Sequence, residues 1–225
     1  MLTPEQLATL AAIDSPTVAN AIEGFNVRDR TAGYPSAAIR CLFPELPVTL
    51  GYAVTAIADS TRPGKPGGRE GLFRLWEAVA AAPKPAVVVI KDLGGEPYRS
   101  CHCGDVMANT ARALGAVGLI TDGGVRDLAE VRALGFQFYA LGAVVSHGNF
   151  EIIDVGMRVS IAGAEITPGD LIHGDANGFV VIPESIADQV AEEVARVREK
   201  EARHIAYVNA PGITLAGLRE VMGLK

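Results

Sequence analysis

A chain of 225 residues, 49% hydrophobic and 20% charged, can bury about 70% of its unfolded surface around one core, which excludes a disordered segment or a disulfide-stapled miniature. With 26 acidic and 20 basic residues the net charge is −6; no basic run interrupts it, so neither nucleic acid nor an acidic membrane surface is the expected partner. Three cysteines without a paired framework, no basic-then-apolar leader in MLTPEQLATL, and apolar runs no longer than AVVVI (86–90) together predict a soluble, cytoplasmic, single-domain protein over residues 1–225.

Thr3-Pro4-Glu5-Gln6 supplies a capping hydroxyl, a proline at the first helical position and a reciprocal glutamine. Ser15-Pro16 repeats the signal, and Gly24 offers a stop, so two short helices open the chain. Residues 31–50 read as irregular, and 48–56 as a strand rich in β-favouring side chains. The stretch STRPGKPGGRE (60–70) is a loop. It is not a phosphate-cradling one, because Pro66 follows Lys65 where a Ser or Thr would open a helix.

Leu72, Leu75, Trp76 and Val79 share one face of a helix over 72–82. Residues 85–90 are apolar on both faces, as a strand covered on both sides should be. Helices over 104–114 and 127–134 then alternate with strands over 117–120 and 136–140, a pattern that makes a parallel sheet segment. After residue 150 the candidate strands shorten to 156–161, 170–173 and 179–182. They are separated by the turn chemistry of Pro168-Gly169-Asp170 and Asp175-Ala176-Asn177-Gly178, the second of which lacks the spaced ligands of a calcium loop. A long final helix is expected from Ser185-Ile186-Ala187-Asp188, with Ile186, Val190, Val194 and Val197 on one stripe before the charged run 198–203.

Parallel strands from neighbouring βα units end on the same sheet edge, where ligands bind. That places Asp105 and Asp127, 22 positions apart, at two helix starts beside one cleft, with Arg126 adjacent. An aspartate at a helix start also caps free amides for about 1 kcal/mol, so either one alone has an ordinary structural explanation. The pair, an arginine suited to a carboxylate or enolate oxygen and the Val106 and Met107 amides as an anion site together suit a hard divalent cation holding a small oxo-acid.

The run GDVMANTARALGAVGLITDGGVRD (104–127), followed by ITPGDLIHGDANGFVVIP (166–183), resembles the two signature blocks of the RraA-like family over roughly residues 14–208. That family includes metal-dependent pyruvate aldolases acting on 4-hydroxy-4-methyl-2-oxoglutarate and 4-carboxy-4-hydroxy-2-oxoadipate. The resemblance implies an α/β, swivelling β/β/α-type domain with N-terminal helices and a long C-terminal helix. It also implies a homotrimer or homohexamer, with the chain from about residue 185 at the subunit interface and sites between subunits. In such a site Asp127 would bind Mg2+ (or Mn2+ or Co2+) and Arg126 would hold the oxo-acid end and steady enolate charge. Asp105 would contact water on the metal, while Gly104 and the Val106 and Met107 amides would receive the pyruvyl carboxylate. An acidic residue from a neighbouring subunit's last helix would complete the shell, with Glu201 the first choice and Glu199 the second. Oxaloacetate decarboxylation, passing through the same enolate, would be a side activity.

Other polar residues have plainer explanations. Cys101-His102-Cys103 could suggest zinc, but adjacent soft ligands rarely wrap one ion tetrahedrally, so a non-ligand loop with Cys103 buried is expected. His147 reads either as a satisfied polar residue or as a contact for a distal substrate carboxylate, and His173 as structural. Arg62, Lys65 and Arg69 either bind distal carboxylates or belong to a solvated loop. Two rival readings stay open: a non-enzymatic regulator of ribonuclease E type, which the same family contains, and a lyase for a sugar-derived acid.

Overall fold

The computed structural model describes residues 1–61 and 69–224. Helix α1 (Pro4–Ala11) begins at the anticipated capping box, in which the Thr3 side chain accepts from the Gln6 amide and the Gln6 side chain from the Thr3 amide. In α2 (Ser15–Gly24) the cap is Asp14 rather than Ser15. Its carboxylate accepts from the Thr17 amide and hydroxyl, which releases the Ser15 hydroxyl to meet the buried ring of His173 at 2.9 Å.

The short strand β1 (Arg40–Cys41) precedes β2 (Thr49–Asp59), α3 (Arg69–Ala81), β3 (Ala86–Asp92), α4 (Asp105–Ala113) and β4 (Ala116–Thr121). A two-residue β5 (Gly124–Val125), α5 (Leu128–Leu134), β6 (Gln137–Ala140) and a two-residue β7 (Gly142–Ala143) follow. Strands β2, β3, β4 and β6 pair in parallel, each with the next, so the expected parallel segment holds and gains β2. These strands are apolar because both faces are covered. On one face Leu75, Val79, Ala108, Ala111 and Val131 of α3, α4 and α5 meet Val88, Ile90, Leu119 and Phe138. On the other, Val87, Val89, Ile120 and Tyr139 meet the hairpin of β9 (Val159–Ile161) and β10 (Ala164–Ile166).

The second half departs from the periodicity. Strand β8 (Glu151–Val155) pairs antiparallel with the end of β2 across a register shift at Ile57/Ala58. The predicted 156–161 strand starts only at Val159, because Gly156 turns the chain at φ 83°. Strands β11 (Leu171–Asp175) and β12 (Gly178–Ile182) form the expected hairpin, with β11 also pairing the start of β2. The Asp175–Gly178 segment is a turn, in which Asp175 accepts from the Asn177 amide at 2.8 Å.

The final helix α6 (Val190–Asn209) does not begin at Ser185: residues Glu184–Ile186 form one 3-10 turn, and Gln189 stands at the cap without a side-chain bond. Ile186 and Ala187 are drawn into the cluster under α1 and α2, and that burial outweighs the local capping signal. After Pro211-Gly212 the chain adds α7 (Leu215–Val221), capped by Thr214, which the periodicity did not single out. Among the described residues no helix is long and apolar enough to cross a membrane.

Candidate active site at the C-terminal edge of the parallel strands

Strands β3 and β4 end side by side, at Asp92 and Thr121, and the loops leaving them run together. The Gly124 amide donates to the Ser100 carbonyl, the His102 amide to the Gly124 carbonyl and the Arg126 amide to the Cys103 carbonyl, each at 2.9 Å. This ladder brings the start of α4 against the start of α5, and with it the two aspartates the sequence singled out.

Asp127 stands at the cap of α5 with φ 55° and ψ 45°, a left-handed backbone, and its side chain makes no capping bond to its own helix. Its Oδ2 instead accepts from the Asp105 amide at 3.0 Å, across the gap to α4. Arg126 Nε lies 3.4 Å from the same oxygen. The carboxylate therefore caps the first amide of α4 rather than its own helix, and it does so from a left-handed backbone that aspartate enters more readily than most L-residues. Gly104 is required by close approach. A Cβ there would lie 2.4 Å from Asp127 Oδ2 and 2.9 Å from Arg126 Nε, distances at which something must move.

Asp105 opens α4, and its Oδ1 accepts from the Val106 amide at 2.7 Å. The Val106 amide, expected open, is therefore occupied by its neighbour's carboxylate, and an anion could use it only after Asp105 turns. Val106 itself is 72% exposed, and the side chains of Arg126 and Asp127 are 34% and 31% exposed. The cluster is open on one side. Its donors are two carboxylates, the hard oxygens that suit magnesium or manganese, which keep several waters when held by one or two carboxylates. Among the described residues, no three of His, Cys, Asp and Glu gather as metal ligands.

Glu201 is not part of this cluster within one chain. It lies on exposed α6 and accepts from the Asn20 side chain of α2 at 3.1 Å. Glu199 is exposed on the same helix. His147 is exposed, with Nδ1 2.8 Å from the Gly148 carbonyl. Arg69 is exposed at the start of α3, whereas Arg62 and Lys65 lie outside the described residues.

The Cys-His-Cys run is buried, Cys103 within it as expected. Burial pushes both thiols up, Cys103 well above the usual range. His102 is fully buried, with Nδ1 2.5 Å from Thr121 Oγ1 and Nε2 facing Asp92. Sequence reading placed no role on Asp92, Asp122 or Lys91. Yet Asp122 accepts from the Asp92 amide and pairs with Lys91 at the ends of β3 and β4. The available signal was a charged residue closing each otherwise apolar strand.

A family model described as RraA-like, Aldolase/RraA, matches residues 15–181. The "Putative 4-hydroxy-4-methyl-2-oxoglutarate aldolase" of Halalkalibacterium halodurans is 32% identical over 124 residues, which are 54% of this chain. The chain spans 59% of that curated relative's length. A solved structure described as a novel cellulase from microbes associated with the gut ecosystem superposes at a TM-score of 0.76 with 21% identity, covering 90% of this chain and 87% of that one. RraAS2 of Streptomyces coelicolor, described as an unusual member of the RNase ES inhibitor RraA protein family, superposes at 0.70 with 21% identity, covering 89% and 96%. At such identities the two structures establish the shared fold.

Proposed function

The chain belongs to the RraA-like (Aldolase/RraA) family, and from that premise we propose that it is a divalent-metal-dependent lyase. Its substrate would be a 4-hydroxy-2-oxo acid such as 4-hydroxy-4-methyl-2-oxoglutarate or 4-carboxy-4-hydroxy-2-oxoadipate, cleaved to pyruvate, with oxaloacetate decarboxylation as a side reaction. The observation that carries this reading is Asp127: its carboxylate leaves its own helix to stand with the Asp105 amide and Arg126 over the bare α-carbon of Gly104.

Cleavage breaks the C3–C4 bond. Its electrons move to the C2 oxygen as an enolate, the C4 hydroxyl loses its proton to become a carbonyl, and C3 of the enolate takes up a proton to become the methyl group of pyruvate. Asp127 would hold magnesium, manganese or cobalt directly, and Asp105 would hold it through water. When bound, that cation supplies Lewis-acid stabilisation of the enolate charge. The Arg126 guanidinium presents fixed donors to the oxo-acid and strengthens as the oxygen becomes anionic, which is when stabilisation accelerates the reaction. Asp105 can turn its carboxylate away from Val106, freeing that amide for the substrate carboxylate and placing Oδ1 to pass the C4 proton through water. Because the described residues of one chain bring two carboxylates together and leave the cluster open, the reading is completed by Glu201 of a neighbouring subunit in a trimer or hexamer.

Lactate dehydrogenase coupling tests this in magnesium or manganese. Pyruvate should form from at least one 4-hydroxy-2-oxo acid, and kcat should fall by roughly a hundredfold or more in Asp127→Ala and Arg126→Ala, the order of loss for a group acting on developing charge. No pyruvate from any such acid or from oxaloacetate would sink the lyase and favour the protein-binding regulator. Pyruvate from a sugar-derived acid alone would change the substrate and keep the site.

A further inference from the structure

Behind the ladder that joins the two site loops lies a buried polar cluster with no part in the reading above. The His102 ring is 0% exposed. Its Nδ1 lies 2.5 Å from Thr121 Oγ1, and that hydroxyl also accepts from the Gly123 amide at 3.1 Å. A hydroxyl oxygen carries two lone pairs, so Thr121 bonds Nδ1 as donor or as acceptor according to the tautomer of the ring. Nε2 faces Asp92, 3.7 Å from Oδ1, and neither Nε2 nor Asp92 Oδ2 has a hydrogen-bond partner among the described residues. The ring packs so closely on Gly123 that a Cβ there would lie 2.6 Å from Cε1.

We propose that His102 is a positioning residue: buried between Thr121 at the end of β4 and Asp92 at the end of β3, it pins segment 100–104 to the sheet edge and so fixes Gly104 beneath Asp127 and Arg126. The inference rests on reading Asp105, Arg126 and Asp127 as the reacting site. Burying a polar ring at this depth costs free energy unless its bonds are made, and a hydrophobic side chain could fill the space. What His102 adds is a hydrogen bond to Thr121 at the end of β4 and a 3.7 Å approach to Asp92 at the end of β3, both from the loop that carries Gly104. The three ladder bonds at Ser100, His102 and Cys103 set the height of that loop beside Gly124–Arg126. The ring sets its depth. A shift of a few tenths of an ångström would press Gly104 into the Asp127 carboxylate or lift it away.

The experiment compares wild type with His102→Ala, His102→Asn and Thr121→Val in hydrogen exchange, manganese affinity and pyruvate release. In His102→Ala, amides of 100–106 and 124–128 should exchange faster while those central to β3 and β4 keep their protection. Manganese affinity and kcat should each fall about 10- to 100-fold, the range for outer-shell orienting groups, and KM should change much less. Thr121→Val, which removes the hydroxyl and little volume, should move each quantity the same way, and His102→Asn, which can still bond Thr121, should recover part of the loss. Wild-type exchange and manganese affinity in both His102→Ala and Thr121→Val would overturn the proposal. So would uniform loss of protection across the sheet without rescue by His102→Asn, which marks a packing role only. If wild type itself makes no pyruvate, the lyase reading fails separately, and exchange with manganese affinity still decides the role of His102.

Discussion

Asp127 holds a left-handed backbone at φ 55°, a region that costs an L-residue about 1–2 kcal/mol, less for aspartate than for most. Nothing in α5 requires it there, since glycine would cap the turn without strain and the carboxylate does not cap it. What aspartate adds at this turn is its side chain, which reaches across to the Asp105 amide of α4. Asp127→Ala and Asp127→Gly both remove that side chain, but only glycine relieves the backbone. In urea denaturation Asp127→Gly should therefore be more stable than Asp127→Ala by roughly 1 kcal/mol, while both lose the same activity. Equal stabilities would mean that the backbone is not strained. The Arg-Asp pair was legible in the sequence because it opens a helix at the same sheet edge as Asp105 and closes the 104–127 block that carries the family resemblance. The left-handed conformation was not, because aspartate before a helix looks the same whether it caps that helix or reaches across to another.

Elements repeat this division between local and distant causes. The helices α3, α4 and α5 and the strands between them follow from apolar spacing, since each lies in a βα unit whose buried stripe is fixed by its own sequence. Strand β8 and the late start of α6 do not, because β8 is made by pairing with β2 and α6 is set by what Ile186 and Ala187 bury against. His173 in β11 shows the same long reach, linking Ser15 of α2 and the Leu10 carbonyl of α1, at 2.9 and 3.1 Å. Burial depresses its pKa below the ordinary 6.5, although the Leu10 carbonyl, Asp175 and Asp14 pull partly back. The folded protein thus favours the neutral ring, and the unfolded chain binds the proton first. Stability from this site is complete above about pH 6.5 and is lost as pH falls toward the lower folded value. The melting temperature should drop between pH 7.5 and 5, and His173→Gln should flatten that drop; an unchanged slope in the variant would place the titration elsewhere. Asp14 and Asp92, both held below the ordinary 3.8, lose their contribution only in more acid solution, so the two windows separate.

At the scale of the whole molecule, the C-terminal arm is the part a single chain leaves unexplained. None of α7 is buried, and Ile205, Ile213 and Leu215 expose 56%, 50% and 86% of their surface. Under the proposed function, the open cluster at Asp127 and the exposed Glu201 would meet in a site shared between copies. If Glu201 acts across an interface, Asp127→Ala and Glu201→Ala are defects in different halves of one site. Each variant should be nearly inactive alone. Co-assembled in equal amounts from unfolded or co-expressed chains, they should regain about a quarter of wild-type activity, because random assortment joins an intact Asp127 to an intact Glu201 in half of one half of the interfaces. A site confined to one chain gives no recovery at any mixing ratio. That outcome would remove Glu201 from the reaction while leaving Asp105, Arg126 and Asp127 in place, and the arm would then be a packing element whose exposed apolar residues are covered for stability alone.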